Sequence, residues 1–373
     1  MVDIYITDDP KEIIETGKAI YSAKKEIYTQ KMTETIYATI KNVVPQISKE
    51  EADALFFQSI YDYWVYGSNI GEEFFYGLFH KKHIEKSSYI TFRNRFLYVW
   101  HLNDKNDAHI LNNKYEAYVR LKKYYKRDMI RISTVEDFQV FQQFVRKHPT
   151  FVVKPESLGL AVGVHKDNIG NYNSEKALFD HLLSEIVAIK SKITWAKDNT
   201  ALVLEEIVEQ DIRLGIVHPN SVNIIRATTV RGADNKIHFY CPWIKFGASG
   251  GFVASAGCGG YSAGVDAETG VVWSDGYKEN GEIVEKHPDT GVTFKGFQIP
   301  HWREAVELAY RLAEELPELG YVGWDFALTP NGWCVIEGNF AGEFIWQMWY
   351  GRGMKKEFED LIGWKPTKEF WWK

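Results

Sequence analysis

Cysteine is scarce: Cys241, Cys258 and Cys334 are the only three in a chain of 373 residues. The number is odd, the spacing is wide and no CxxC occurs. That excludes a disulfide scaffold and a zinc ribbon, and points to free thiols in a reducing compartment. No apolar run reaches about 18 residues, so no membrane span is expected. The N-terminus has no apolar segment of the signal-peptide type, so the expected location is cytoplasmic. Neither sign of charge dominates. Lys and Arg number 44 against 50 Asp and Glu, a net charge of -6, which argues against a broad nucleic-acid footprint. The patterns GxxxxGK[ST], GxGxxG and HExxH are missing, which removes a Walker loop, a Rossmann fingerprint and a zincin helix. Internal repeats and low-complexity tracts are missing too.

Aromatic side chains are plentiful, at 15% of residues, within a hydrophobic total of 45%. With 25% charged residues, this is the composition of a folded chain, and the length predicts two domains or one large composite one. The first third reads as helical. Ser48 and Glu51 have the form of a capping box before the apolar run 54–64. The stretch Phe74, Phe75, Tyr76, Phe79, Tyr89, Phe92, Phe96, Tyr98 and Trp100 reads as helix–helix packing, or alternatively as a platform for a sugar or another flat ligand. From Leu111 the pattern changes. A helix is expected over 114–125, a second opens on a capping box at Ser133 and Glu136, and His148-Pro149 ends it. Short apolar strands are expected near 151–153, 162–165 and 202–204, with a helix over 174–190 among them. A loop rich in Gly, Pro and charge spans 275–300. The last strong helix, 302–316, carries Trp302, Ala305, Ala309 and Leu312 on one face. The fold class is α+β with a helical front third.

Three segments carry chemistry. Gly323-Trp324-Asp325 and Ile336-Glu337-Gly338-Asn339 read as paired strands around the turn Pro330-Asn331-Gly332. With a three-residue loop over 330–332, Thr329 pairs with Trp333 and Asp325 lies opposite Glu337. A two-residue loop puts Asp325 opposite Gly338. Two facing carboxylates repel, and a divalent cation between them reverses that sign. Glu337 and Asn339 leave one face of their strand, and these side chains offer only oxygen, which suits Mg²⁺ or Mn²⁺. The alternative is a hairpin with solvated acids. The second segment, Val153-Lys154-Pro155, ends an apolar strand on a lysine. Small residues in the next turn, Ser157 and Gly159, let backbone N–H groups approach an anion. A phosphate contact and a structural lysine are both open there. The third segment, from Glu205, Glu206 and Ile207 to Gln210, ends a buried strand with acids and exposed backbone. It suits an adenine edge and a ribose, or merely solvated acids. Residues 245–265 are rich in glycine, which suits close approach to a ligand or a loose surface loop. An acceptor is placed there, beside Lys245, Ser249 and Ser255.

In this order the segments resemble the ATP-grasp family, and most closely its sugar-transfer-associated and TupA-like branch, tied to cell-surface polysaccharide genes. The resemblance covers residues 113–349. Asn113-Lys114 and Val153-Lys154-Pro155 are similar to the family's two lysine motifs, and 157–164 to its phosphate-covering loop. Residues 205–210 look like its adenine and ribose hinge, and Ser221-Val222-Asn223-Ile224-Ile225-Arg226 like the branch's arginine strand. The Asp325 and Glu337 strands look like its metal strands. The resemblance implies an ATP-grasp fold, two α+β subdomains gripping ATP, over 111–373 behind a helical aromatic-rich region at 1–110. Its lid-type subdomain would span about 130–205 and its metal and acceptor subdomain about 206–350.

The resemblance also implies site roles. ATP would be held by Lys114, Lys154, Ser157, Gly159, Glu205, Glu206, Ile207 and Gln210. Arg226 and Lys154 would act on the transferring phosphoryl group, and Asp325, Glu337 and Asn339 would hold two Mg²⁺ or Mn²⁺ ions. The implied activity is an ATP-dependent ligase that converts a carboxylate into an acyl phosphate and joins it to an amine, on a sugar or cell-surface polysaccharide precursor. Its partners would be small-molecule carboxylate and amine substrates, with no nucleic acid. A kinase acting on a hydroxyl and a non-catalytic glycan-binding protein are the alternatives. Ala161 stands where many members carry another glycine. Lys245 stands where relatives usually have an arginine, which loses a bidentate grip on an anion. The front third lacks the strand pattern of the Rossmann-like domain that precedes many members.

Overall fold

The computed structural model describes residues 4–159, 161–193, 199–248, 259–278 and 280–367. Asp9 caps α1 (Pro10–Ala23) by accepting from the N–H groups of Lys11 and Glu12, and Pro10 occupies the first turn, where its missing N–H is harmless. With α2 (Gln30–Val43) and α3 (Lys49–Val65) it encloses Ile20, Tyr28, Ile36, Ile40, Phe56 and Ile60. The capping box expected before α3 is present: Ser48 N–H donates to Glu51 Oε2 at 3.1 Å, and Glu51 N–H to Ser48 Oγ at 3.2 Å. Four short helices follow, α4 (Ile70–Phe75), α5 (His83–Lys86), α6 (Arg95–Leu102) and α7 (His109–Asn112). Tyr76, Tyr89 and Tyr98 are buried among Phe344, Trp346 and Phe358 from the far end of the chain. Gln347 bonds both backbone groups of Ile90, at 2.9 and 2.8 Å. These aromatics pack the helical front third against the C-terminal segment.

The helix expected over 114–125 is α8 (Lys114–Tyr125), capped by Asn113. Strands β1 (Met129–Ile132), β2 (Thr150–Pro155), β3 (His165–Asn168) and β4 (Leu202–Glu206) form an antiparallel sheet in the order β1-β4-β2-β3. Helices α9 (Phe138–Lys147) and α10 (Glu175–Lys192) bury Phe141, Phe144, Leu178 and Phe179 over it. The box expected at Ser133 and Glu136 closes one residue later. Asp137 Oδ2 accepts from Ser133 N–H at 2.7 Å and Thr134 N–H at 3.0 Å, so a single 3-10 turn precedes α9. The strand expected at 162–165 begins only at His165. Ala161 and Gly163 take φ of 55° and 72°, which turns the chain there.

A second antiparallel sheet contains β5 (Ile224–Arg231), β6 (Ile237–Phe246), β7 (Tyr261–Gly264), β8 (Gly276–Tyr277), β9 (Ile283–Val284), β10 (Tyr321–Thr329) and β11 (Gly332–Asn339), in the order β11-β10-β5-β6-β7-β8-β9. The short α11 (Ile212–Gly215) precedes β5, and α13 (Gln347–Tyr350) and α14 (Lys355–Ile362) follow β11. The last strong helix, α12 (Trp302–Glu315), packs with α8 over Ile225, Ala227, Ile244, Val322, Trp324 and Phe326. Successive strand residues face opposite sides. Arg226, Lys245 and Asp325 therefore emerge on the face away from this core. No helix among the described residues is long and apolar enough to cross a membrane. Cys241 and Cys334 are free thiols, and Cys258 lies outside the described residues.

Candidate active site

Asp325 and Glu337 do face each other, by a different route from the one expected. The turn holds two residues, with Thr329 opposite Gly332. Continued unbroken, that register would set Asp325 opposite Ile336. A bulge absorbs Ile336 instead, and Asp325 falls opposite Glu337.

Side chains already answer the repulsion between these acids. Arg226 lies opposite Asp325 on β5 and donates from Nε to Oδ1 at 2.7 Å and from an Nη to Oδ2 at 3.3 Å. Lys245 Nζ, on β6, reaches the same two oxygens at 3.1 and 2.9 Å. Burial opposes ionisation of Asp325, but Arg226 and then Lys245 outweigh it and hold its carboxyl below the usual range. Burial, followed by the nearby Arg226, holds Lys245 below the ordinary lysine value. Gly323 and Gly342 make room for the guanidinium: a Cβ would stand 3.0 Å from it at the first and 3.4 Å at the second.

Glu337 differs. Among the described residues no side chain hydrogen-bonds or ion-pairs with its carboxylate. The Asn339 amide donates to Gly323 C=O at 3.4 Å, which leaves its oxygen as a possible ligand. The donors that fit a divalent cation are therefore Glu337, Asn339 and the lone pairs of Asp325 that Arg226 and Lys245 do not use. All are oxygens, so the set suits Mg²⁺ or Mn²⁺. The facing acids by themselves do not demand an ion, because two side-chain cations neutralise one of them.

On the smaller sheet, Lys154 crosses from β2 to Glu205 on β4, Nζ to Oε1 at 2.9 Å. Glu205 is 3% exposed and also accepts from Arg127, Nε at 3.1 Å and an Nη at 2.9 Å. Burial opposes its ionisation, and Lys154 and Arg127 outweigh it and hold the carboxyl low. Arg127 donates further to the carbonyls of Val335 and Ile336 on β11, so one guanidinium ties the two sheets together. Sequence reading missed Arg127. Its only signal was a cation between the helix at 114–125 and the next apolar strand.

Lys114, at the start of α8, donates from Nζ to Leu158 C=O in the turn after β2. Burial holds it below the ordinary lysine value against the pull of Glu337, and Lys154 adds to the depression. It thus stands between that turn and the carboxylates of the larger sheet. Ser157 and Gly159 are exposed in the turn. Ser157 N–H is held by Asn199 Oδ1 at 3.1 Å, and the space beside Gly159 is open.

The four hinge residues divide. Glu205 faces inward, as above. Gln210 also turns in: its Nε2 donates to the His218 and Ser221 carbonyls at 3.2 and 3.0 Å, and its Oε1 accepts from Asn223 N–H at 2.6 Å. Glu206 and Ile207 stay accessible. They adjoin Val208, Val222 and Ile336, an apolar strip over Ile224 and Ala327. Of the acceptor set, Lys245 is committed to Asp325, while Ser249 and Ser255 lie outside the described residues.

A family model for sugar-transfer associated ATP-grasp matches residues 91–361. No curated protein matches the chain. Among solved structures, the chain is similar to D-alanyl-alanine synthetase A from Vibrio cholerae, with 13% identity, 64% of this chain and 58% of that one covered, and a TM-score of 0.38. It is similar to the D-alanine-D-alanine ligase from Coxiella burnetii, with 14% identity, 70% and 59% covered, and a TM-score of 0.38. It is also similar to phosphoribosylamine–glycine ligase from Thermotoga maritima, with 14% identity, 66% and 52% covered, and a TM-score of 0.38. The matches span little more than half the length of those proteins.

Proposed function

The chain belongs to the sugar-transfer-associated ATP-grasp family and has its fold, and from that premise we propose that it is an ATP-dependent ligase. It would activate a carboxylate as an acyl phosphate and join it to an amine, on a sugar or cell-surface polysaccharide precursor. The observation that carries this reading is the convergence of Lys114, Arg226 and Lys245 on the carboxylate of Glu337 where the two sheets meet, with Lys154 beside Lys114.

Lys114 and Lys154 are partly withdrawn from water, so their charge acts on ATP phosphates through a lower effective dielectric than the solvent's. Open backbone at Gly159 adds room for N–H donors, while the Ser157 N–H is already held by Asn199. The strip of Val208, Val222 and Ile336 supports the adenine face, and the backbone of 206–208 meets its edge. Glu205 and Gln210 act as positioning residues, one for Lys154 and the other for the segment before β5, and Glu206, whose Oε2 accepts from Asp128 N–H at 2.9 Å, keeps its other carboxylate oxygen for a ribose. Mg²⁺ or Mn²⁺ on Glu337 and Asn339 would neutralise phosphate charge. Arg226 remains a fixed cation, because Asp325 outweighs burial and raises it above its ordinary value. A fixed cation is what a transferring phosphoryl group and an acyl phosphate require. The amine then forms the C–N bond, phosphate leaves with the C–O electrons, and the amine releases a proton.

The front third contributes to the acceptor side. Arg95 acts on Glu72 and Tyr321, and Glu343 acts on Arg226, Tyr321 and Glu72. The buried Nε of Arg95 has no hydrogen-bond partner, and its guanidinium lies 4.6 Å from the Phe92 ring centroid and 4.8 Å from that of Phe96. A cation beside two aromatic rings suits an anionic sugar derivative.

The test is ADP release with Mg²⁺-ATP and a panel of uronic acids and amino acids, run beside Glu337→Gln. Release that requires both partners, a condensed product by mass spectrometry, and loss of both in the variant support the ligase. A phosphorylated hydroxyl as product makes the protein a kinase. Absence of both ATP binding and turnover with either metal sinks the reading.

A further inference from the structure

Next to Gln210, whose amide bonds the His218 carbonyl, two histidines are arranged as ligands. His218 lies between α11 and β5, His287 in the loop after β9, and both are 0% exposed. His218 Nδ1 stands 2.9 Å from Ser221 Oγ, and its buried Nε2 has no hydrogen-bond partner. His287 Nε2 donates to Gly247 C=O at 2.9 Å, and its Nδ1 accepts from Asp289 N–H at 3.3 Å. Asp289 Oδ2 lies 3.5 Å from His218 Nε2. One ligand atom from each of His218, His287 and Asp289 lies within 4.8 Å of the others.

Two features distinguish this group from a packed pair of rings, and the ring spacing is compatible with a shared ion. A ligating imidazole gives its second ring nitrogen to an oxygen that fixes its orientation. His287 does so to Gly247 C=O, and His218 Nδ1 has Ser221 Oγ within hydrogen-bond distance for the same purpose. The remaining nitrogen of His218 is buried without a hydrogen bond and has only the Asp289 carboxylate beside it at 3.5 Å, a gap that an ion would close. The ring centroids are 5.1 Å apart, and two imidazoles on a tetrahedral ion with metal–nitrogen bonds of about 2.1 Å place their centroids about 5 Å apart. The second group of this kind, Asp128, His148 and Glu206, shares none of these features. Its Asp128 already accepts from Lys147 and His148, and all three side chains reach solvent.

We propose that His218 Nε2, His287 Nδ1 and a carboxylate oxygen of Asp289 bind one divalent transition-metal ion of the zinc class, with water as the fourth ligand and with His287 Nδ1 giving up its long 3.3 Å bond from Asp289 N–H. Two imidazoles and one carboxylate select such an ion over Mg²⁺, so this site is chemically distinct from the oxygen donors at Glu337. Its role is structural. His218 and Ser221 precede the strand of Arg226, and Gly247 follows Lys245 by two residues. A Cβ at Gly247 would come 2.0 Å from Ser221 Oγ and 2.8 Å from His218 Nδ1, so the backbone must approach closely. Thr290 Oγ1 donates to Val217 C=O at 2.8 Å and closes the third side. An ion there braces the segments that lead into the strand of Arg226 and out of the strand of Lys245, and this does not depend on the ligase reading.

The full chain, stripped with a chelator, is titrated with Zn²⁺ and separately with Co²⁺ in excess Mg²⁺. The expected result is about one Zn²⁺ retained per chain by elemental analysis, a tetrahedral-type visible spectrum with Co²⁺, and a raised Tm. Asp289→Asn, at the surface, keeps the fold and weakens Zn²⁺ at least about tenfold. His218→Gln abolishes the Co²⁺ spectrum, and Glu337→Gln leaves it unchanged. The proposal is overturned if the wild type retains no zinc. It is equally overturned if Asp289→Asn binds zinc as tightly as the wild type, which would mean an adventitious ion only.

Discussion

Arg226 and Asp325 lie opposite each other on β5 and β10 and form a side-on ion pair at 2.7 and 3.3 Å, with 7% and 4% of their surfaces exposed. Lys245 adds a second cation to the same carboxylate. Two positive groups share that one carboxylate, and the facing Glu337 carboxylate brings the group close to neutrality. The pair also decides how each partner responds to substitution.

Removing one partner of a buried pair leaves the other uncompensated. Arg226→Met is expected to cost about 3–5 kcal/mol in urea unfolding. Lys245→Met should cost less, because the side-on pair survives. An Arg226→Met protein within about 0.5 kcal/mol of wild type would show that the pair contributes little.

Glu337 has no described partner to lose. Glu337→Gln should therefore stay within about 0.5 kcal/mol of wild-type stability. ATP turnover should fall by about 100-fold or more, as for loss of a group that stabilises transition-state charge. Melting curves and steady-state ADP release, measured on the same preparation, separate the two. A parallel fall in both would make Glu337 a structural residue.

Glu72 gives a pH signature. Burial pushes its carboxyl up to about 7 from the ordinary 4.5, only partly offset by the N–H groups of Phe92 and Asn69. Its folded value lies above its unfolded one. Its contribution is thus fully present below pH 4.5 and lost as pH rises through about 7, a total of about 3 kcal/mol. Between about pH 5 and pH 8, wild type should lose more stability than Glu72→Gln. Equal losses in the two proteins would contradict this assignment.

Ala161 holds φ at 55° in the turn over the site. Left-handed backbone costs an alanine about 1–2 kcal/mol, and the extra freedom of glycine in the unfolded chain costs about 0.5–1 kcal/mol. Ala161→Gly should therefore be neutral or stabilising by up to about 1 kcal/mol. Gly163→Ala should destabilise, because its φ is 72° and a Cβ would lie 2.8 Å from Pro155 Cγ. Chemical denaturation of both variants checks the contrast, and opposite signs would refute it.

Local chemistry was legible in the sequence. The bounds of α8, the box at Ser48 and Glu51 and the buried face of α12 follow from caps and periodicity, all set by near neighbours in the chain. Even there, one residue mattered. Asp137 displaced Glu136 as the capping acid, and a bulge at Ile336 did what a longer turn was expected to do. What each polar group does was decided only by the tertiary structure. Arg226 meets Asp325 across 99 residues of chain, and Arg127 meets Glu205 across 78. Those contacts turn Glu205 inward, neutralise Asp325 and leave Glu337 open. A carboxylate's role depends on which cations and how much water reach it, and that is set by strand register and burial between distant segments.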